Sequence, residues 1–256
     1  MNIEETRKIT LSLIGTFNRA SQVSLDLRKA GLTKEIKSDN TPVSNGDIEI
    51  NKILTSKIKE ITPNIVIISE ESPNNKSDNN LKDFWLIDPI DGTRDYVNNR
   101  DEFTLNAALI INRRPVIGII TAPAKKRVFY SYGLSNSYEL ADGGEISLIN
   151  KKKNYDGITS VSYSNELKPE ILEIHKKYKI NSHQRMKSSL KFCVVAAGEF
   201  DMYVTEPRAC EWDIAAGHAI LEHAGGKITD FNGDDVLYGK PEFKNPSLII
   251  RNKNII

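Results

Sequence analysis

The stretch Trp85–Tyr96, WLIDPIDGTRDY, changes character in its middle. With Phe84 it opens as an apolar run of strand type, FWLID, and closes as a turn. Pro89 bars a helix through Asp88, and Gly92 lets the backbone reverse sharply. The two aspartates of DPIDGT can then converge on one point, with the Ile90 carbonyl turned toward it. Hard oxygen donors of this kind suit Mg²⁺, and none of the four histidines neighbours them in sequence, which argues against zinc. If a helical turn starts after Gly92, the Gly92 and Thr93 amides form a nest for an anion such as phosphate. Taken alone, the same string is also a good plain turn.

Working outward, other acids fall at the tips of apolar stretches. Glu70 and Glu71 follow the strand-like NIVIIS (64–69), Asp213 opens a helix in EWDIAAGHA, and Asp47 stands three residues after Ser44. Each has an ordinary reading: a solvated loop edge for the glutamates, a helix-dipole partner for Asp213, a capping box for Asp47. All of them together, each presented by a rigid element, point to chemistry rather than to chance.

The remaining pattern is mixed. Ile9, Leu13, Phe17, Ala20 and Leu27 recur at helical spacing until Gly31. A second helix starts at Ser44, buries Ile50, Ile53, Leu54, Ile58 and Ile61, and stops at Pro63. Strands are expected at 103–111, 116–121, 128–132, 138–141 and 158–164. Helices are expected at 169–179, after Ser188 and at 212–224, the last closed by Gly225 and Gly226, with a short strand near Met202 between them. There is no regular βαβ alternation, so the fold class is α/β in layers with largely antiparallel sheets, not a doubly wound sheet. The polar, basic stretch 149–157 divides the chain into halves, 1–152 and 153–256, that form one catalytic unit.

Composition narrows the function. The chain has 256 residues, 39% of them hydrophobic, and a net charge of +1. A sizeable core is therefore available, and no general field holds nucleic acid or an anionic membrane, so a polyanion must be caught by a local site. Two cysteines, Cys193 and Cys210, exclude a disulfide scaffold, and an acidic amino terminus with no apolar run of ~18 residues makes a soluble cytoplasmic protein the expectation. His218 and His223 read as residues that pack or face solvent, and His175 and His183 show no partner spacing. Cys193 reads as core, Trp85 and Trp212 as packing beneath the acidic loops, and Lys151–Lys153 as a solvated turn.

Three long signatures, SEES (69–72), WLIDPIDGTRDY and EWDIAAGHAILEHAGG (211–226), resemble the inositol monophosphatase-like superfamily of Mg²⁺-dependent, lithium-sensitive phosphatases, over nearly the whole chain. DGTRDYVNNRDEFTLNAALI, SSLKFCVVAAGE and WDIAAGHA are most similar to its 3'(2'),5'-bisphosphate nucleotidase branch, which cleaves 3'-phosphoadenosine 5'-phosphate to AMP and phosphate. The resemblance implies alternating α and β layers and two or three Mg²⁺ per site. It implies one metal on Glu70, Asp88 and the Ile90 carbonyl, and a second on Asp88, Asp91 and Asp213. Thr93, with Glu70 or Asp47, would orient the attacking water. Glu70, Ile90, Asp91, Gly92, Thr93, Ser162, Ser189, Lys191 and Asp213 would meet the substrate, a small phosphorylated molecule. Two departures bear on specificity: Asn165 stands where the branch usually has histidine, and Lys187 where it usually has glycine. The alternatives are an inositol or sugar phosphate phosphatase with the same core, a silent nucleotide or phosphate sensor, and, least favoured by the neutral charge, a nuclease.

Overall fold

In the computed structural model, which describes residues 1–37, 42–72, 81–141, 144–149, 157–207 and 209–256, two long helices lie against one face of a large sheet. Helix α1 (Ile3–Ala30) is opened by an Asn2–Glu5 capping box and buries one stripe, Thr6, Thr10, Leu13, Phe17, Ala20 and Ser24, at alternating steps of four and three. A short hairpin, β1 (Lys34–Ile36) with β2 (Pro42–Ser44), leads into α2 (Asn45–Ile61), which buries Ile50, Leu54 and Ile58.

The large sheet has seven strands in the order β3 (Val66–Ser69), β4 (Phe84–Asp91), β5 (Thr104–Ile111), β6 (Arg114–Ala122), β7 (Arg127–Gly133), β8 (Asn136–Ala141) and β9 (Gly144–Ser147), with a five-residue helix α3 (Thr93–Val97) between β4 and β5. Only β3 and β4 run parallel; every other neighbouring pair is antiparallel. The period-two alternation of β4 sends Trp85 and Ile87 toward α1 and α2, and Phe84 and Leu86 to the other face.

The carboxyl-terminal half adds β10 (Ile158–Ser162), α4 (Pro169–Lys177), β11 (Ile180–Arg185), α5 (Leu190–Ala196), β12 (Met202–Thr205), α6 (Glu211–His223), β13 (Lys227–Asp230) and β14 (Leu248–Arg251). These strands form a second sheet in the order β11-β10-β12-β14-β13, half of whose pairings are parallel. Helices α5 and α6 fill the space between the sheets, and α4 covers the far side of the second with Ile171 against Met202, Val204 and Ile249. The layers therefore alternate α, β, α, β, α. Helix α6 is buried on nearly every side because it has a sheet above and below, as its apolar composition requires. Gly118 marks the closest approach: a Cβ there would sit 2.3 Å from the Ala216 carbonyl oxygen of α6.

Several boundaries differ from the expectation. Strand β4 does not stop at Asp88; it continues to Asp91 with a register shift between Asp88 and Asp91, since Pro89 removes a ladder donor but not the extended backbone. Strands β1, β2, β9, β11 and β13 carry too few apolar residues to show a period, and β14 (LIIR) is apolar but too short to show one. The helix expected to reach residue 179 ends at Lys177, and Lys179 adopts a positive φ. Most of the polar loop after Ser72, residues 142–143 of the turn beyond β8, Lys151–Lys153 and the expected boundary at 152 fall outside the described residues. Among those described, no helix is long and apolar enough to cross a membrane.

Candidate active site

The alternation that builds the core also aims the acids. Asp88 shares parity with Phe84 and Leu86, so it faces the layer of α5 and α6. Glu70 shares parity with Ile68, whose side chain packs in that same layer. The Glu70 amide still donates to the Ile87 carbonyl, 3.1 Å away, so the residue is held one step past the end of β3. From the facing layer, Asp213 arrives in the first turn of α6. Glu70, Asp88 and Asp213 each bring a carboxylate oxygen to within 4.8 Å of the others.

Asp88 is 1% exposed, and among the described residues neither of its carboxylate oxygens has a hydrogen-bond partner. A buried carboxylate that no donor satisfies is costly unless a cation meets it. Burial, followed by repulsion from Glu70, Asp91 and Asp213, pushes its carboxyl far above the usual range. Burial likewise raises Asp213, with Asp91 and Glu70 adding repulsion. It pushes Glu70 up to about 7, against the pull of the Lys37 ammonium. This donor set, oxygen only and crowded with like charge, fits a hard divalent cation.

Two acids serve their helices and the site together. One Asp213 oxygen accepts from the Cys210 amide at 2.7 Å, which caps α6 and fixes the carboxylate. Asp47 completes the box with Ser44: its Oδ2 accepts from the Ser44 amide at 2.8 Å and from the Ser44 hydroxyl at 2.6 Å. Its Oδ1 accepts from the Thr93 hydroxyl at 2.9 Å, and that hydroxyl also lies 3.0 Å from the Ile90 carbonyl oxygen. Both aspartates thus cap their helices, a geometry compatible with the functional reading. Burial raises the Asp47 carboxyl, while the donors at Ser44 and Thr93 hold it back. Gly92 adopts φ 93°, and a Cβ on it would stand 2.7 Å from the Glu102 carbonyl oxygen, so the turn that opens α3 at Thr93 needs glycine.

Asp91 joins the group through Ser189, whose hydroxyl lies 2.6 Å from Asp91 Oδ2 and 2.5 Å from the Asp213 carbonyl oxygen. A cavity of about 110 Å³ opens beside these residues and is lined by Asp91, Tyr163, Ser189, Lys191, Tyr203 and Asp213. Ser189 therefore reaches the cavity with its hydroxyl already engaged. The Lys191 ammonium donates to the Ser188 carbonyl at 2.5 Å and lies 5.2 Å from the centre of the Tyr203 ring. Ser162 instead lines a neighbouring cavity, joined to the first by Tyr163 and Thr205. Lys187 is close to the first cavity, its ammonium 3.4 Å from the centre of the Tyr163 ring. Asn165 is exposed, and its carbonyl oxygen meets His183 Nε2 at 3.1 Å.

Two residues here escape the reading by motif. Lys37 lies 2.5 Å from Glu71 and 3.6 Å from Glu70, and nothing in its own segment marks it. Asn106 donates to Ser189 from β5, and a polar residue amid the apolar TLNAALII was the available signal. His218, His223, Cys193, Trp85 and Trp212 are buried, as is His175, whereas His183 is exposed on β11. His218 meets the Tyr238 hydroxyl at 2.9 Å, His223 accepts from the Gly133 amide at 3.2 Å, Trp85 donates to Thr62 at 3.0 Å, and Trp212 packs on Phe243.

Alternating layers with acids gathered at strand and helix ends beside a tight anion-sized turn define a metal-assisted phosphatase. The chain belongs to the inositol monophosphatase family, whose model matches residues 5–255. It is 38% identical over 205 residues, covering 79% of this chain and 76% of the relative, to a 3'(2'),5'-bisphosphate nucleotidase CysQ of Buchnera aphidicola subsp. Acyrthosiphon pisum (strain APS). The crystal structure of CysQ from Bacteroides thetaiotaomicron superposes with a TM-score of 0.77 at 26% identity, covering 95% of this chain and 97% of that one. An IMPase/NADP phosphatase complexed with Mg²⁺ and phosphate shares the fold, with a TM-score of 0.76 at 19% identity and coverage of 98% and 92%. Family and acidic group together indicate dependence on a divalent metal.

Proposed function

We propose that this chain is a phosphomonoesterase that removes the 3'-phosphate of adenosine 3',5'-bisphosphate, yielding AMP and phosphate, with two or three Mg²⁺ in the site. The observation that carries the metal reading is Asp88: a buried carboxylate with both oxygens unpartnered among the described residues, set beside Glu70, Asp91 and Asp213. The nucleotide reading is supported by the relative named above, similar over most of its length. Glu70, Asp88, Asp91, Asp213 and the Ile90 carbonyl would hold the cations. When bound, divalent cations offset charge on the phosphoryl oxygens and acidify water near neutrality.

The chain's own groups do the rest. The Thr93 hydroxyl, held between Asp47 and the Ile90 carbonyl, sits where it can orient an attacking water, and Asp47 can take a proton through it. The turn at Gly92 and Thr93 presents amides to the phosphoryl oxygens. The leaving nucleotide would occupy the cavity between Tyr163, Lys191 and Tyr203, whose lysine and nearby Lys187 would supply positive charge for its remaining phosphate. No covalent enzyme intermediate is required.

The test is phosphate release from adenosine 3',5'-bisphosphate, inositol 1-phosphate and fructose 1,6-bisphosphate, each with Mg²⁺ and with a chelator. Release from the nucleotide by at least tenfold in kcat/KM, abolished by chelation, is expected. A preference for inositol 1-phosphate would overturn the nucleotide assignment and leave the hydrolytic centre standing.

A further inference from the structure

Beneath the acidic group lies a polar residue that sequence motifs and family resemblance leave without a role. Asn106 is 1% exposed and sits on β5 directly across from Asp88 on β4, on the same face of the sheet. Its Nδ2 donates to Ser189 Oγ at 3.1 Å, and its Oδ1 is buried with no hydrogen-bond partner among the described residues. Ser189 in turn lies 2.6 Å from Asp91 Oδ2 and 2.5 Å from the Asp213 carbonyl oxygen. A serine hydroxyl has one proton to give and lone pairs to accept with. Because Asn106 donates to a lone pair of Ser189, the hydroxyl proton is left for Asp91 or the Asp213 carbonyl.

We infer that Asn106 is a positioning residue for the metal centre: by donating to Ser189 it sets the direction of that hydroxyl, and so holds Asp91 and the first turn of α6 in register with Asp88. This rests on Asp88, Asp91 and Asp213 being metal ligands. Side chains that orient metal ligands affect binding almost as much as the ligands do.

The direction of the hydrogen bond makes the inference sharp. In Asn106→Ala the Ser189 hydroxyl loses its donor but keeps its proton for Asp91. In Asn106→Asp, the side chain when ionised has the same shape but can only accept, so it claims that proton, and Asp91 then faces a lone pair. Simple electrostatics gives the opposite outcome, since another carboxylate attracts a cation.

The test is Mn²⁺ binding to the metal-free protein, followed by the electron paramagnetic resonance signal of the free ion, for wild type, Asp91→Asn, Asn106→Ala, Asn106→Asp, Ser189→Ala and Ser189→Ala/Asn106→Ala. Thermal melting of the same metal-free proteins monitors folding. Affinity should fall about tenfold in Asn106→Ala and further, toward about a hundredfold, in Asn106→Asp. Adding Asn106→Ala to Ser189→Ala should cost nothing more, because the two act in series. Wild-type binding with Asn106→Asp equal or tighter, or additive losses in the double variant, would overturn the inference and leave the metal centre intact. A wild type that binds no Mn²⁺ would remove the metal assignment and the inference with it. Should Asn106→Asp fail to fold, the Ser189→Ala cycle decides alone.

Discussion

Single side chains in this site hold two positions at once. Asp47 and Asp213 each commit an oxygen to capping the helix that carries them, and their carboxylates are thereby fixed before any ligand arrives. Asp88 has no such anchor among the described residues and stands in crowded, dry surroundings, whereas Glu70 is partly exposed and lies 3.6 Å from the Lys37 ammonium. Replacing Asp91 or Asp213 by asparagine should lower kcat by roughly a hundredfold or more, while circular dichroism and melting temperature show an intact fold. Thr93→Ala should lower kcat similarly yet leave Mn²⁺ affinity within about threefold, because Thr93 is proposed to act on water rather than on metal. Equal losses of metal binding in Thr93→Ala and Asp91→Asn would refute that division of labour. Glu70, Asp88 and Asp91 were legible in the sequence because they close apolar runs of strand type, and Asp47 and Asp213 because they open helices with clear start signals. Asn106 and Lys37 were not, since their roles depend on strand register and on a loop crossing that no local spacing encodes.

Helix α6 is where packing and chemistry meet: its first turn carries Asp213 and its body is pressed between two sheets. Gly118 on β6 permits that contact, so Gly118→Ala must displace backbone rather than a flexible side-chain end. A loss of about 1–3 kcal/mol or more, seen as a melting point lower by several degrees, is expected; an unchanged melting point would contradict the packing described. The same helix buries His218 and His223, and burial pushes them down to about 3 and about 4. The unfolded chain therefore binds protons that the folded chain refuses. Their contribution to stability is complete above pH 6.5 and falls as the pH drops toward 4, by about 1.4 kcal/mol per unit for each histidine. Glu70 acts in the opposite sense without metal: raised from 4.5 to about 7, it favours the folded state at low pH and loses that contribution as the pH rises through that window. The difference in urea midpoint between wild type and His218→Gln/His223→Gln isolates the histidines. It should change between pH 7.5 and 5, and a constant difference would refute the assignment. The long helices were readable because their buried stripes keep period for several turns. Strands β13 and β14 of the second sheet were not, because four residues bounded by polar neighbours carry no period.

Across the chain, the layered architecture brings acids from positions 70 and 213 to one point, although well over a hundred residues separate them. Strand parity aims Glu70 and Asp88 into the middle layer, and the start of α6 supplies the facing carboxylate. The layered α/β class was visible in the mixture of helical and strand periods. The half-parallel pairing of the second sheet was not, because strand direction is set by connections rather than by composition. That convergence is the basis of the proposed chemistry, and anomalous diffraction from crystals grown with Mn²⁺ tests it without reference to substrate. Strong anomalous peaks between Glu70, Asp88 and Asp213, with Asp91 on the same group, are expected. A fully occupied lattice with no peak there, or with the ion bound only elsewhere, would contradict the account.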